Sequence, residues 1–310
     1  MIRRVLVTGA TGFFGRHFCR YLAAHAPEVE LTTTDIVPAG AALPGRFVQV
    51  DLANEAAAAE LIRAARPDCV VHLAGTFGTG AAVDLYQANL LPLVAVLEGL
   101  RQEAANAILI TAGSAAEYGR GTVGHLPVDE DCPCAPVTLY GQSKLAATQV
   151  AQYYHRVHGL GTMVVRPFQL LGPGMSSRLA PGAFAEQLHA ALASGPATVR
   201  VGNLESQRDF LDVRDAAEAV WALCSNPAPG EVFNLCAGRP TRMGDLLQIM
   251  MNVSQAKVVV ETDPARLRGA ADVSTVYGSF QKLNRHCGWQ PRRSLEESAR
   301  SMFAREPLHG

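Results

Sequence analysis

The sequence is short of charge, of aromatic rings and of long apolar runs. Asp, Glu, Lys and Arg make up 18% of its 310 residues, below the ~25% usual for globular chains. The 27 basic and 28 acidic side chains leave a net charge of −1. Gripping nucleic acid takes a surplus of basic charge, so no nucleic-acid partner is expected. The most apolar stretch, Leu90 to Leu97, contains Pro92 and falls far below the ~20 residues that span a bilayer. The apolar run at the N-terminus breaks at Thr8-Gly9, short of the roughly 7–15 residues of a secretory signal. No membrane partner is expected either. The 28 glycines and 18 prolines are too few for collagen or for low-complexity chains, which reach ~25–30%.

The seven cysteines are scattered and odd in number, and only Cys132 and Cys134 lie close together. That pattern is neither a disulfide framework nor a zinc spacing. Reduced thiols and a cytoplasmic location are the expectation. His155 and His158 stand i, i+3 without a third ligand, so no metal is expected. What the chain does have is apolar mass: 48% of its residues are hydrophobic, enough for a sizeable core at this length.

The first half alternates short β-rich runs with longer helical ones. Strands are predicted at 4–8, 29–35, 46–51, 68–74, 107–112 and 163–166. Helices are predicted at 12–25, 54–65, 82–104 and 139–158. Such alternation implies a doubly wound parallel sheet of Rossmann type, with helices on both faces and right-handed crossovers. Beyond Arg166 the pattern is broken by Pro167, Pro173, Pro181 and Pro196. Helices are expected at 183–193, 216–225 and 243–253, and short strands near 210–213, 232–235 and 258–261. The composition shift places a dinucleotide-binding domain at 1–166. A smaller α/β substrate domain follows at 167–310, with some of its segments packing back on the first.

Gly9-Ala-Thr11-Gly12-Phe13-Phe14-Gly15 follows the first strand and opens the first helix. A dinucleotide pyrophosphate needs a turn free of Cβ atoms, close backbone approach and the positive end of a helix dipole. Twenty residues past Gly15, Asp35 ends the next strand, where a carboxylate takes ribose hydroxyls and repels a 2′-phosphate. This favours NAD, with NADP possible because Arg16 flanks the turn. Asp51-Leu52 is placed either against the adenine edge or as a strand-end helix cap.

Tyr140-Gly-Gln-Ser-Lys144 opens the long helix, so the phenol and the amine share one face. A nearby ammonium lowers a phenol's pKa, and the pair can pass a proton near neutral pH. Ser114, just after the preceding strand, is placed to hydrogen-bond the same substrate oxygen. Strand-end Ser, helix-start Tyr and Lys, and the upstream glycine turn together form a layout for hydride transfer.

These residues resemble the extended short-chain dehydrogenase/reductases, the nucleotide-sugar epimerases, dehydratases and reductases. The likeness runs along nearly the whole chain. It takes in the glycine turn, Asp51-Leu52, His72-Leu73-Ala74-Gly75, Asn89, Ser114 through Glu117-Tyr-Gly119, and Pro127-Val-Asp-Glu130. It continues through Tyr140 and Lys144, Arg166-Pro167, Gly172-Pro-Gly174, Arg208-Asp-Phe210 and Gly288-Trp-Gln-Pro291. Within the family the pattern is most similar to GDP-4-keto-6-deoxy-D-mannose reductases.

The resemblance implies a nucleotide-sugar bound between the two domains. It further implies cofactor contacts from Leu73, Ala74, Gly75, Asn89 and Arg166 as well as from the turn. Substrate contacts are implied for Ser114, Ala115, Glu117, Gln169, Arg178, Arg208, Arg266 and Arg268. A homodimer is implied through a four-helix bundle of the helices carrying Asn89 and Tyr140. The family's dehydratases carry an acidic pair after the hydroxyl residue; Ala115 and Ala116 stand here, so that route is not expected. Gln169 replaces the Asn of many relatives. The expected activity is reduction of the C4 ketone of a nucleotide-linked 4-keto-6-deoxyhexose with NAD(P)H. The rivals are a 4-epimerase that retains its NAD and a non-catalytic dinucleotide-binding regulator.

Overall fold

A computed structural model describes residues 2–40, 43–77, 81–266 and 274–304. The first half builds the strands β1 (Arg4–Thr8), β2 (Glu30–Asp35), β3 (Arg46–Gln49), β4 (Cys69–His72), β5 (Ile108–Ala112) and β6 (Gly161–Pro167). Between them run the helices α1 (Phe13–His25), α2 (Glu55–Ala65), α3 (Ala82–Asn89), α4 (Leu91–Glu103) and α5 (Leu139–His158). The second half supplies β7 (Gln169–Leu171), α6 (Ala180–Ser194), β8 (Ala197–Val201), β9 (Gln207–Arg208), β10 (Phe210–Asp212) and α7 (Val213–Ser225). It ends with β11 (Val232–Leu235), β12 (Thr241–Arg242), α8 (Met243–Ser254), β13 (Val258–Thr262), β14 (Thr275–Val276), α9 (Gln281–Cys287) and α10 (Leu295–Phe303).

Seven strands form one parallel sheet in the order β11-β6-β5-β4-β1-β2-β3. Its central strands are buried on both faces, so their side chains alternate between two apolar layers. Val5 and Val7 of β1 face Phe18, Leu22, Val220 and Phe233. Leu6, between them, faces Leu61, Leu93, Val96 and Leu97. The order runs outward in both directions from the β4–β1 pair. The crevice beyond the carboxyl ends at such a switch point is where open α/β sheets bind ligands.

Local chemistry sets the helix ends. The Asn54 side chain caps α2 by accepting from the Ala57 N–H at 3.1 Å, and Thr138 caps α5 by accepting from Gly141 at 3.0 Å. Gly159 closes α5 at φ +71°, where the absence of Cβ removes the left-handed penalty. The predicted 82–104 helix is two helices that meet at Leu90, with Pro92 in the first turn of the second. Taken together, Ala82–Glu103 is long and apolar enough in composition to cross a membrane. Here it flanks the sheet, with Leu93, Val96, Leu97 and Leu100 buried against it.

Beyond Arg166 chain order and packing part company. β11 pairs with β6 at the edge of the large sheet, and α7 lies in the same core layer as α1. The smaller lobe is built on parallel β8–β13, on α6, α8 and α10, and on a core of Phe184, Leu188, Val199, Leu246, Met250 and Met302. All seven cysteines are free, and among the described residues no group of side chains could hold a metal ion.

Candidate active site

The glycine turn between β1 and α1 is closed to side chains. Gly9 sits at φ +66°, and a Cβ there would fall 2.5 Å from the Ala74 nitrogen. At Gly15 a Cβ would fall 2.1 Å from the Gly9 carbonyl oxygen; this glycine lets α1 pack against β1. Gly12 caps α1 without a side-chain bond, and no acidic residue stands in the first turn. The first backbone N–H groups of α1 therefore remain available to an anion. The Phe13 ring meets His17 edge-on and Phe14 packs against the core, so neither ring lines the cavity.

The turn opens into a cavity of about 650 Å³ whose wall includes Gly9, Thr11, Gly12, Asp35, Asp51, Leu52, Leu73, Ala74 and Gly75. The Asp35 carboxylate accepts from the Thr11 hydroxyl at 2.6 Å and from its N–H at 3.0 Å. Asp51 accepts from the Ala53 N–H at 2.9 Å, so it caps its own turn and faces the cavity as well. Asp84 and Gln87 of α3 also line this wall; no motif in the sequence marks them. Among the described residues the wall carries three carboxylates and no Lys or Arg. It fits a dinucleotide: a backbone cradle for phosphates, then an acidic, hydroxyl-seeking end.

Asn89 stands behind that wall. Its Oδ1 accepts from Thr76 N–H at 2.8 Å, and its Nδ2 donates to Ser143 Oγ at 3.0 Å. Ser143 donates in turn to the Tyr140 carbonyl at 2.8 Å. Both ends of the Asn89 amide thus make hydrogen bonds within the protein, and Asn89 itself does not line the cavity.

Tyr140 and Lys144 lie on one face of α5, and the Ser114 hydroxyl lies near the Tyr140 phenol. Lys144 Nζ approaches Gly75 on the cavity wall, within 3.9 Å of where a Cβ would stand. Burial pushes the Lys144 ammonium down to about 8, against the charge of Glu117. Burial raises the Tyr140 phenol, with the nearby Ser114 hydroxyl pulling the other way. The lowering of Tyr140 by Lys144 expected from spacing is therefore corrected: desolvation dominates, and the phenol is protonated at neutral pH. His72, at the end of β4, is wholly buried and pushed down to about 3 by desolvation and then by Lys144. It is neutral, with Nδ1 paired to Thr8 Oγ1 at 2.9 Å.

A second cavity, of about 430 Å³, lies in the smaller lobe. Gln169, Arg178, Arg208 and Arg266 converge on its wall from four separate segments, with Asn203 and Ser206 beside them. Among the described residues no carboxylate lines it, so it suits a polyanion. Arg268 lies outside the described residues. Asp209, beside Arg208, is buried and holds the N–H groups of Ala237 (2.6 Å), Gly238 (2.9 Å) and Gly278 (3.2 Å). It fixes the strand that presents Arg208.

Two further expectations are corrected. Glu117 is fully buried and makes an ion pair with Arg166, itself buried, at 2.9 Å. Neither residue lines either cavity. Residues 115–117 form a 3-10 turn, which turns Glu117 inward toward β6. Ala115 lies in the same turn, partly buried.

A profile of the NAD dependent epimerase/dehydratase family matches residues 5–236. The chain belongs to that family. It is 31% identical to GDP-6-deoxy-D-mannose reductase of Pseudomonas aeruginosa, over 98% of this chain and 97% of that protein. It is also 31% identical to dTDP-6-deoxy-L-talose 4-dehydrogenase (NAD(P)(+)) of Kitasatospora kifunensis, over 97% and 94% of the two chains. The structure of RMD from Pseudomonas aeruginosa complexed with NADPH superposes with a TM-score of 0.83 at 28% identity, covering 96% of this chain and 97% of that one. The chain is an NAD(P)-dependent enzyme of the extended short-chain dehydrogenase type, and the cofactor is a nicotinamide dinucleotide.

Proposed function

We propose that this enzyme reduces the C4 ketone of a nucleoside-diphosphate 4-keto-6-deoxyhexose. The observation that carries the reading is the pairing of two cavities of opposite character. An acidic one adjoins the glycine turn and Lys144, and an arginine-lined one sits in the smaller lobe. A diphosphate held by Arg178, Arg208 and Arg266 would extend its sugar toward Ser114 and Tyr140. When bound, the reduced dinucleotide supplies the hydride for the carbonyl carbon. Tyr140 gives its proton to the carbonyl oxygen, and Ser114 donates a hydrogen bond to the same oxygen. The Lys144 ammonium stabilises the phenolate left behind. Ala115 and Ala116 offer no acid or base for expelling water, which argues against dehydration.

A 4-epimerase would use the same three residues and keep its cofactor oxidised at rest. The family's own description favours keeping this second reading in view. Purified enzyme mixed with keto-sugar nucleotide and NADH separates the two. Loss of reduced-cofactor absorbance mole for mole with product supports the reductase; product without net cofactor use overturns it.

Two expected results follow from the charges. Between pH 6 and 10 the reductive kcat/KM should fall as pH rises through the Lys144 value of about 8. The free enzyme needs that amine protonated, and kcat/KM reports free-enzyme groups. Initial rates in overlapping buffers check this; a profile flat to pH 10 contradicts it. The acidic wall should also favour NADH over NADPH, by at least roughly tenfold in kcat/KM, since a 2′-phosphate meets the Asp35 carboxylate. Asp35→Asn keeps an acceptor for Thr11 while removing the charge, so the preference should narrow. An unchanged ratio would show that Asp35 does not set it. We propose a homodimer through α3 and α5, where Val83, Tyr153 and Val157 are exposed apolar side chains.

A further inference from the structure

Directly beneath Ser114, Tyr140 and Lys144 lies the buried Glu117–Arg166 pair, which borders neither ligand cavity. We propose that Glu117 is a positioning residue, whose carboxylate holds the turn that orients the Ser114 hydroxyl and places a buried negative charge one helical turn from Lys144. This inference rests on the reading of Ser114, Tyr140 and Lys144 as the reacting groups.

The geometry is that of a fixed anion. One Glu117 oxygen accepts from the Ser114 N–H at 2.7 Å. The other accepts from Thr148 Oγ1 of α5 at 3.0 Å and from Arg166 Nε of β6 at 2.9 Å. A Cβ on Gly113 would fall 2.3 Å from the first oxygen, so the carboxylate is packed against the backbone that carries Ser114. Ser114 Oγ accepts from the Ala116 N–H at 3.1 Å, completing a capping box across the short turn. With that lone pair engaged, the hydroxyl proton is free to point away from the turn, toward the Tyr140 phenol. Glu117 thereby makes Ser114 a donor at the position where the substrate oxygen would develop charge.

Arg166 is held just as firmly. Its guanidinium lies over the Tyr118 ring at 4.7 Å, and Nη1 donates to the Tyr118 hydroxyl at 3.1 Å. That hydroxyl donates to Asn234 Oδ1 at 2.7 Å. The network ties the ends of β5, β6 and β11 to α5. Stability alone is a weak reason for it, because well-packed apolar replacements of buried ion pairs are often as stable.

The charges around Glu117 are unevenly placed. Arg166 neutralises it from β6, the Cys134 thiol faces it from the loop that leads into α5, and Lys144 and Tyr140 face it from α5. Lys144 is faced otherwise by His72, which is neutral. Burial drives the Lys144 amine toward its neutral form, and Glu117 is the charge that opposes it.

The test compares Glu117→Gln, the double variant Glu117→Gln/Arg166→Met, and Tyr140→Phe with the wild type. Gln keeps an acceptor for Ser114 while removing the charge, and the double variant removes the arginine left unpaired. Melting temperature and NADH binding establish that each variant is folded. The expected result is a loss of kcat of about ten- to a hundredfold, with KM for NADH little changed. The basic limb of kcat/KM should move down by roughly one pH unit in both Glu117 variants. A folded Glu117 variant with the wild-type kcat and pH profile overturns the proposal. So does failure of both Glu117 variants to fold, which would make the pair structural. If Tyr140→Phe keeps its rate, the functional reading itself falls, and this inference with it. If Tyr140→Phe is slow and the Glu117 variants are not, only the inference falls.

Discussion

Replacing Tyr140 with Phe should lower kcat by about 10²–10⁴-fold, the range that a positioned general acid supplies. The substitution deletes one oxygen from a partly buried ring at the start of α5. The helix is capped by Thr138 and tied down by the Ser143 bond to the Tyr140 carbonyl, and neither feature involves the phenol. Folding and dinucleotide affinity should therefore stay near wild type. Because burial raises the phenol, the wild-type group starts the reductive reaction protonated. Phe then removes the proton that the reaction uses. Single-turnover oxidation of bound NADH by keto-sugar nucleotide measures the step directly. A rate within a few-fold of wild type would remove Tyr140 from the chemistry.

Gly9→Ala should be strongly damaging for a single methyl group. At φ +66° a side chain pays roughly 1–2 kcal/mol for the left-handed conformation. The added Cβ also lands 2.5 Å from Ala74 N and 2.6 Å from the Leu73 carbonyl carbon. Those are backbone atoms at the end of β4, so relief requires moving a central strand, at about 1–3 kcal/mol more. The expected sum of about 2–5 kcal/mol should lower the melting temperature by several degrees. NADH binding should weaken at least tenfold, because the same displacement spoils the cavity wall. Gly12→Ala is the informative contrast. Its Cβ would meet only the Gly9 carbonyl oxygen, at 3.1 Å, and its φ is ordinary. Stability should change little there, while a methyl at the mouth of the phosphate cradle still weakens the dinucleotide. Calorimetry and NADH titration on both variants check the pair of outcomes; equal losses of stability would contradict the geometry.

The large sheet was readable because its signals are local. Short runs such as Val5-Leu6-Val7 and Cys69-Val70-Val71, separated by capped helices, announce parallel strands buried on both faces. The glycine turn was readable for the same reason, since a left-handed angle with backbone packed against it, as at Gly9, favours glycine. The smaller lobe was less so. β9, β12 and β14 are two residues long each, too short for a periodicity. They exist because β9 finds partners on both sides.

Side-chain identity and spacing by themselves determined the α/β class, the phosphate turn, and the Ser114, Tyr140 and Lys144 set, since each depends on neighbours within a few residues. Only the tertiary structure decided what distant residues do to one another. It gathered Arg178, Arg208 and Arg266, any of which could have been a solvated surface arginine, onto one wall. It turned Arg166 and Glu117 away from both cavities and toward each other. The physical reason is that the energy of a charge depends on what surrounds it in space. Burial and the partners that chain folding brings from 49 residues away leave no trace in the residue type.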